Sequence, residues 1–136
     1  YTLSEVASDA EAALLAANQN AADTIGGVTL AEQGADVSRI LIDLAQREAM
    51  EISADFARLL HREAAPLLPF QQDYHRFAGL IVLKAPDVPS ILFESGYLTN
   101  KEDASFLASS EGQERIAEGI RRAVETHFAR RAFAAR

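Results

Sequence analysis

Apolar and polar positions follow two rhythms along this chain. From Asp36 to about Ala65, Val37, Ile40, Leu41, Leu44, Ile52, Phe56, Leu59 and Leu60 recur at helical spacing and predict one long helix. At 1.5 Å per residue it would run about 45 Å, long enough to bend, and Pro66 and Pro69 end it. An alanine-rich run, Ala10–Ala22, predicts an earlier helix, with Ser8 and Glu11 as a capping box and Gly26-Gly27 as its stop. A loop to about Gly34 comes next. Thr99 with Glu102 predicts a short helix to about Leu107. Ser110 with Gln113 predicts a last helix, with Ile116, Ile120, Val124 and Phe128 along one face. Its tail, Ala129–Arg136, should fray.

The second rhythm is one of short continuous apolar runs. Tyr1–Ser4 reads as the tail of a strand whose beginning is missing. Leu80–Leu83 and Ser90–Phe93 are too short for helices and read as buried strands of a central sheet. The connector Ala85-Pro86-Asp87-Val88-Pro89 cannot hold a helical crossover, so strands that paired across it would be antiparallel. Leu67–Arg76 is a loop. The sum is an α/β fold, a central sheet flanked by long helices, incomplete because the N-terminal part of the domain is absent. A sheet lacking its first strands has an exposed edge, through which the chain is expected to self-associate or to meet its missing half.

Composition narrows the function classes. With 136 residues, 49% of them apolar, the chain can bury a core. A formal charge of −7 argues against nonspecific binding to nucleic acid or to an anionic membrane. No run reaches the ~20 apolar residues of a membrane span. The N-terminus lacks the basic start and apolar block of a signal peptide, so an exported protein would have lost its targeting segment. Without cysteine there is no thiolate metal site, and His61, His75 and His127 lack metal-ligand spacing.

One position invites chemistry. Ile91-Leu92-Phe93 ends in Glu94, followed by Ser95-Gly96. A carboxylate at the end of a central strand is where open sheets place catalytic groups, and desolvation there would tune it for proton transfer. Many strands also end in a charged residue simply because the chain returns to solvent.

The stretch Phe77–Asn100, with Ala85-Pro86-Asp87-Val88-Pro89-Ser90-Ile91-Leu92-Phe93-Glu94-Ser95-Gly96-Tyr97-Leu98-Thr99-Asn100 at its heart, is similar to the signature of the zinc-dependent N-acetylmuramoyl-L-alanine amidases that trim peptidoglycan. The resemblance extends to Leu41–Ala45 and Ile116–Phe128 and implies that residues 1–136 are the C-terminal part of one catalytic domain. It implies that Glu94 is the general acid/base for hydrolysis of the amide between N-acetylmuramic acid and L-alanine. It further implies a periplasmic protein of daughter-cell separation. The family's zinc ligands, His, Glu and His, all map before Tyr1. The chain alone is therefore expected to be inactive and to bind no zinc. Glu5, His61 and His75 match no ligand position. His75 is expected to be a loop residue hydrogen-bonded near the sheet, and His127 plain surface.

Cell-separating members resemble this chain in carrying an inserted helix where residues 8–34 fall. The resemblance implies that this insert can cover the zinc cleft until an activator of LytM type moves it. Where an acidic side chain often reaches the metal, this chain has Asn18-Gln19-Asn20, and Glu11 lies a few turns earlier. Two rival readings are a non-catalytic peptidoglycan-binding or regulatory α/β module, and an unrelated interaction domain.

Overall fold

The computed structural model describes residues 1–25 and 36–134, with side chains for 1–21 and 40–134. Gly26-Gly27, the loop to Gly34 and the side chain of Val37 lie outside the described residues. The element order is β1 (Thr2–Leu3), α1 (Ala10–Ile25), α2 (Asp36–Ala64), β2 (Phe77–Ala78), a 3-10 turn (Ile81–Leu83), α3 (Lys101–Ala108) and α4 (Ser110–Ala134). The chain divides into two compact units, Tyr1–Asp55 with His75–Leu92 and Phe56–Tyr74 with Phe93–Arg136, so α2 contributes to both.

Each predicted helix forms, but the caps of α1, α3 and α4 lie one residue away from the predicted ones. Asp9, not Ser8, opens α1, its Oδ1 accepting the Ala12 amide at 2.8 Å. Asn100, not Thr99, opens α3, accepting from the Glu102 and Asp103 amides. Ser109, not Ser110, opens α4, its Oγ accepting the Gly112 amide at 3.0 Å. Each winner is itself a capping residue, and side-chain reach to the third amide beyond it decides between neighbours.

In the first unit, β1 and β2 pair in parallel, Thr2 opposite Phe77 and Leu3 opposite Ala78. Parallel strands need a long connection, and α1 and α2 lie within it. The expected central sheet flanked by long helices is thus a two-stranded sheet in a mostly helical chain. Leu80–Leu83 is not a strand. Leu80 and Leu83 are buried while Val82 is 63% exposed, the three-residue repeat of a 3-10 turn. Asn20 supports that turn from α1, donating to the Gly79 carbonyl at 2.9 Å and accepting the Ile81 amide at 2.8 Å. Backbone groups that a neighbouring strand would satisfy are satisfied by one side-chain amide.

Among the described residues Ser90–Phe93 forms no ladder either, and it does not pair with Leu80–Leu83. Only Leu92 bonds as a strand residue would, exchanging both main-chain bonds with Tyr1 (2.7 and 3.0 Å), the pattern of an antiparallel pair. The Ser90 amide is taken by Ser53 Oγ of α2 at 2.8 Å. Nor is the outer edge of β2 open: Ser8 donates its amide to the Phe77 carbonyl and accepts the Phe77 amide on its hydroxyl. Ser8 therefore satisfies the backbone of Phe77 on the side away from β1. The core of this unit is Leu3, Ala12, Ala16, Ala78, Leu80 and Leu83, with Met50 and Leu92 against it.

In the second unit Leu59, Leu60, Ala64 and Leu68 are buried. The buried residues of α4 are Gly112, Gly119 and Ala123 rather than the predicted stripe. Ile120 and Val124 are each 37% exposed and Phe128 65%. The reason is close approach: a Cβ at Gly119 would lie 2.8 Å from Ala64 Cβ. Small residues let the two backbones pack where larger ones would hold them apart.

Candidate active site

Glu94 is exposed and stands two residues beyond Leu92, in a segment that is neither helix nor strand. The burial expected at a strand end is therefore lacking. Side chains order the turn that comes after Glu94. Gly96 takes a φ of 150°, a left-handed value that favours glycine. The Tyr97 amide donates to Asp103 Oδ2 at 2.9 Å. The Asn100 amide donates to the Tyr97 carbonyl at 3.0 Å, closing a turn before α3. Asn100 Oδ1 in turn accepts the Asp103 amide at 3.3 Å. Tyr97 and Leu98, the latter 81% exposed, stand on that turn.

Among the described residues, no three His, Cys, Asp or Glu side chains gather within reach of one metal ion. His75 is a loop residue bonded to the sheet, as expected, its Nε2 2.9 Å from the Thr2 hydroxyl. His61 stacks on Tyr74 with ring centroids 3.7 Å apart and meets Phe70 edge-on. His127 is half-buried rather than plain surface, edge-on to Phe56 at 5.2 Å. Glu5 is exposed.

The α1 carboxylates are also engaged. Glu11 pairs with Arg76 at 2.7 Å, and Asp9 lies 3.5 Å from the same guanidinium. The Arg76 guanidinium is held above its ordinary value, first by its bond to the Tyr1 hydroxyl and then by Glu11. Asp9 is held below its ordinary value, chiefly by the Ala12 amide, with Ser8 and Arg76 adding to this against a desolvation effect of opposite sign.

The profile of one family, described as N-acetylmuramoyl-L-alanine amidase, matches residues 8–126. The chain belongs to that amidase family, type 3. Over 123 residues it is 32% identical to an N-acetylmuramoyl-L-alanine amidase AmiC of Escherichia coli O6:H1, covering 90% of this chain and 29% of that protein. It is 28% identical over 122 residues to AmiA of Escherichia coli K12, covering 90% and 42%. It is 30% identical over 129 residues to AmiC of Neisseria meningitidis serogroup B, covering 92% and 31%. The chain thus spans less than half the length of each of these amidases. The family match takes in α1, α2, the Glu94 segment, α3 and most of α4.

Sequence reasoning missed Asp103 in this setting. The available signal was N-x-x-D at Asn100–Asp103, one residue along from the T-x-x-E pattern that predicted α3.

Proposed function

We propose that this chain forms the C-terminal part of a peptidoglycan amidase that hydrolyses the bond between N-acetylmuramic acid and L-alanine, with Glu94 as its general acid/base. The observation that carries this is the match over residues 8–126, which contains the Phe93-Glu94-Ser95-Gly96-Tyr97 segment with its carboxylate accessible to solvent. Glu94 would accept a proton from the attacking water and return it to the departing amine of L-alanine. Such transfer is typically worth about 10²–10⁴-fold in rate. Zinc is expected to be held by residues outside this chain, and the chain alone is proposed to be inactive.

The same reading places the protein in the periplasm, in daughter-cell separation. Residues 8–34 become a regulatory insert moved by an activator of LytM type. In that case activation must loosen the fastenings of α1: the Asn20 amide on Gly79 and Ile81, the Glu11–Arg76 ion pair, and the burial of Ala12 and Ala16.

In the longer protein that contains this chain, Glu94→Gln is expected to lower turnover by about 10²-fold or more while leaving metal content unchanged. Release of stem peptide from purified peptidoglycan, with metal analysis of the same sample, measures both. A variant that releases peptide at the normal rate would show that Glu94 is not the proton carrier.

A further inference from the structure

We propose that Asp103 is a positioning residue for Glu94, holding the turn beyond it in the geometry the reaction needs. The proposal rests on the reading of Glu94 as acid/base and deepens it. Among the described residues no strand pairs with the backbone at Glu94, so what ties down the next few residues bears on its direction. Here the tie is Asp103. Its Oδ2 accepts the Tyr97 amide at 2.9 Å, three residues beyond Glu94. Its own amide is bound by Asn100 Oδ1, the cap of α3.

Gly96 makes this bond possible in two ways. Its φ of 150° turns the chain toward α3. Its missing side chain leaves room as well, because a Cβ there would lie 3.2 Å from Asp103 Cβ and 3.4 Å from both Cγ and Oδ2. The first turn of α3 therefore acts as a jig for residues 94–97. Asp103 touches no reacting atom; it acts only through the backbone it holds. Misplacing a catalytic group by about 1 Å can cost on the order of 10²-fold in rate, so one main-chain bond is enough to matter.

The test uses the longer protein with a soluble N-acetylmuramoyl peptide as substrate. Asp103→Ala is expected to lower kcat by about ten-fold or more and to leave KM within about two-fold, because binding groups elsewhere are untouched. Asp103→Asn keeps an acceptor oxygen for the Tyr97 amide and is expected to hold kcat within about three-fold of the parent. Amide exchange at Tyr97 should speed up in Asp103→Ala and stay slow in Asp103→Asn, with α4 protection equal in both. Normal kcat in Asp103→Ala, or Asp103→Asn as slow as Asp103→Ala, overturns the proposal. Glu94→Gln separates the two layers. If that variant turns over normally, the acid/base reading falls and takes this proposal with it. If it is dead while Asp103→Ala is normal, only the positioning role falls.

Discussion

The two compact units meet the same problem, holding helices with little sheet, by different means. In the first, short polar side chains do what neighbouring strands would do: Asn20 serves Gly79 and Ile81, Ser8 serves Phe77, and Ser53 serves Ser90. In the second, a seam of small residues lets helices approach, Gly119 over Ala64 with Leu68 beside it, and Leu59 and Leu60 are buried in the same unit. Helix α2 runs through both units and so serves as an internal control. Its head exposes Ile40, Leu41 and Leu44 at 66%, 62% and 63%, whereas its tail buries Leu59 and Leu60 to 6% and 4%. The apolar spacing is helical throughout. Spacing decides that a helix forms; it does not decide what covers the helix.

The largest effect should come from that contrast. Leu60→Ala is expected to destabilise this chain by about 2–5 kcal/mol, the usual cost of emptying a packed leucine site. Leu41→Ala, on the exposed head, should change stability by no more than about 0.5 kcal/mol. Urea unfolding of the two variants measures the difference directly. Equal losses would mean that the head of α2 is as well packed as its tail, and the comparison would collapse.

The same contrast explains what could be read from the sequence. Helix existence was legible in all four cases because periodicity and capping residues are local. Cap positions were not, since Ser8 and Asp9, Thr99 and Asn100, and Ser109 and Ser110 are adjacent residues that can all cap a helix. The strands at Leu80–Leu83 and Ser90–Phe93 were misread for a tertiary reason: the Ile81 and Ser90 amides find their partners on side chains 61 and 37 positions away. The family resemblance led to Glu94, but its exposure and its link to Asp103 are properties of the folded loop. On α4 the apolar stripe was read as the packing face, whereas glycine and alanine, which carry almost no hydrophobic signal, form it.

A second, smaller effect tests the seam. In an open helix, Gly→Ala gains about 0.8–1.0 kcal/mol. At Gly119 the new Cβ would sit 2.8 Å from Ala64 Cβ and 3.3 Å from its Cα, atoms that cannot swing aside. Overpacking of this kind typically costs about 1–3 kcal/mol, so Gly119→Ala should lower stability rather than raise it. The sign of the change in thermal midpoint is the readout. A rise would show that the seam is loose and that the second unit is held by its leucines alone.

The smallest effect separates the units by charge. In the first, Asp9 caps α1 and is held below its ordinary value of 3.8, chiefly by the Ala12 amide. In the second, Glu118 sits on the face of α4, pulled down to about 2 by its bonds to Arg121 first and then to Arg122. Both carboxyls hold their proton less tightly in the folded chain than in the unfolded one. Each therefore contributes fully above its ordinary value and loses that contribution as pH falls through its folded one. Loss at Asp9 begins below pH 3.8, while Glu118 keeps losing until about pH 2. Both groups are solvated, so the changes should be small and weakened by salt. Asp9→Asn retains an acceptor for the Ala12 amide but cannot titrate, so its stability should fall less steeply than the parent's between pH 4 and pH 3. Glu118→Gln should differ from the parent most at neutral pH and converge with it near pH 2. Parallel curves for parent and both variants would mean that these contacts add nothing to the fold, leaving neutral clamps in one unit and apolar packing in the other as the ties that matter.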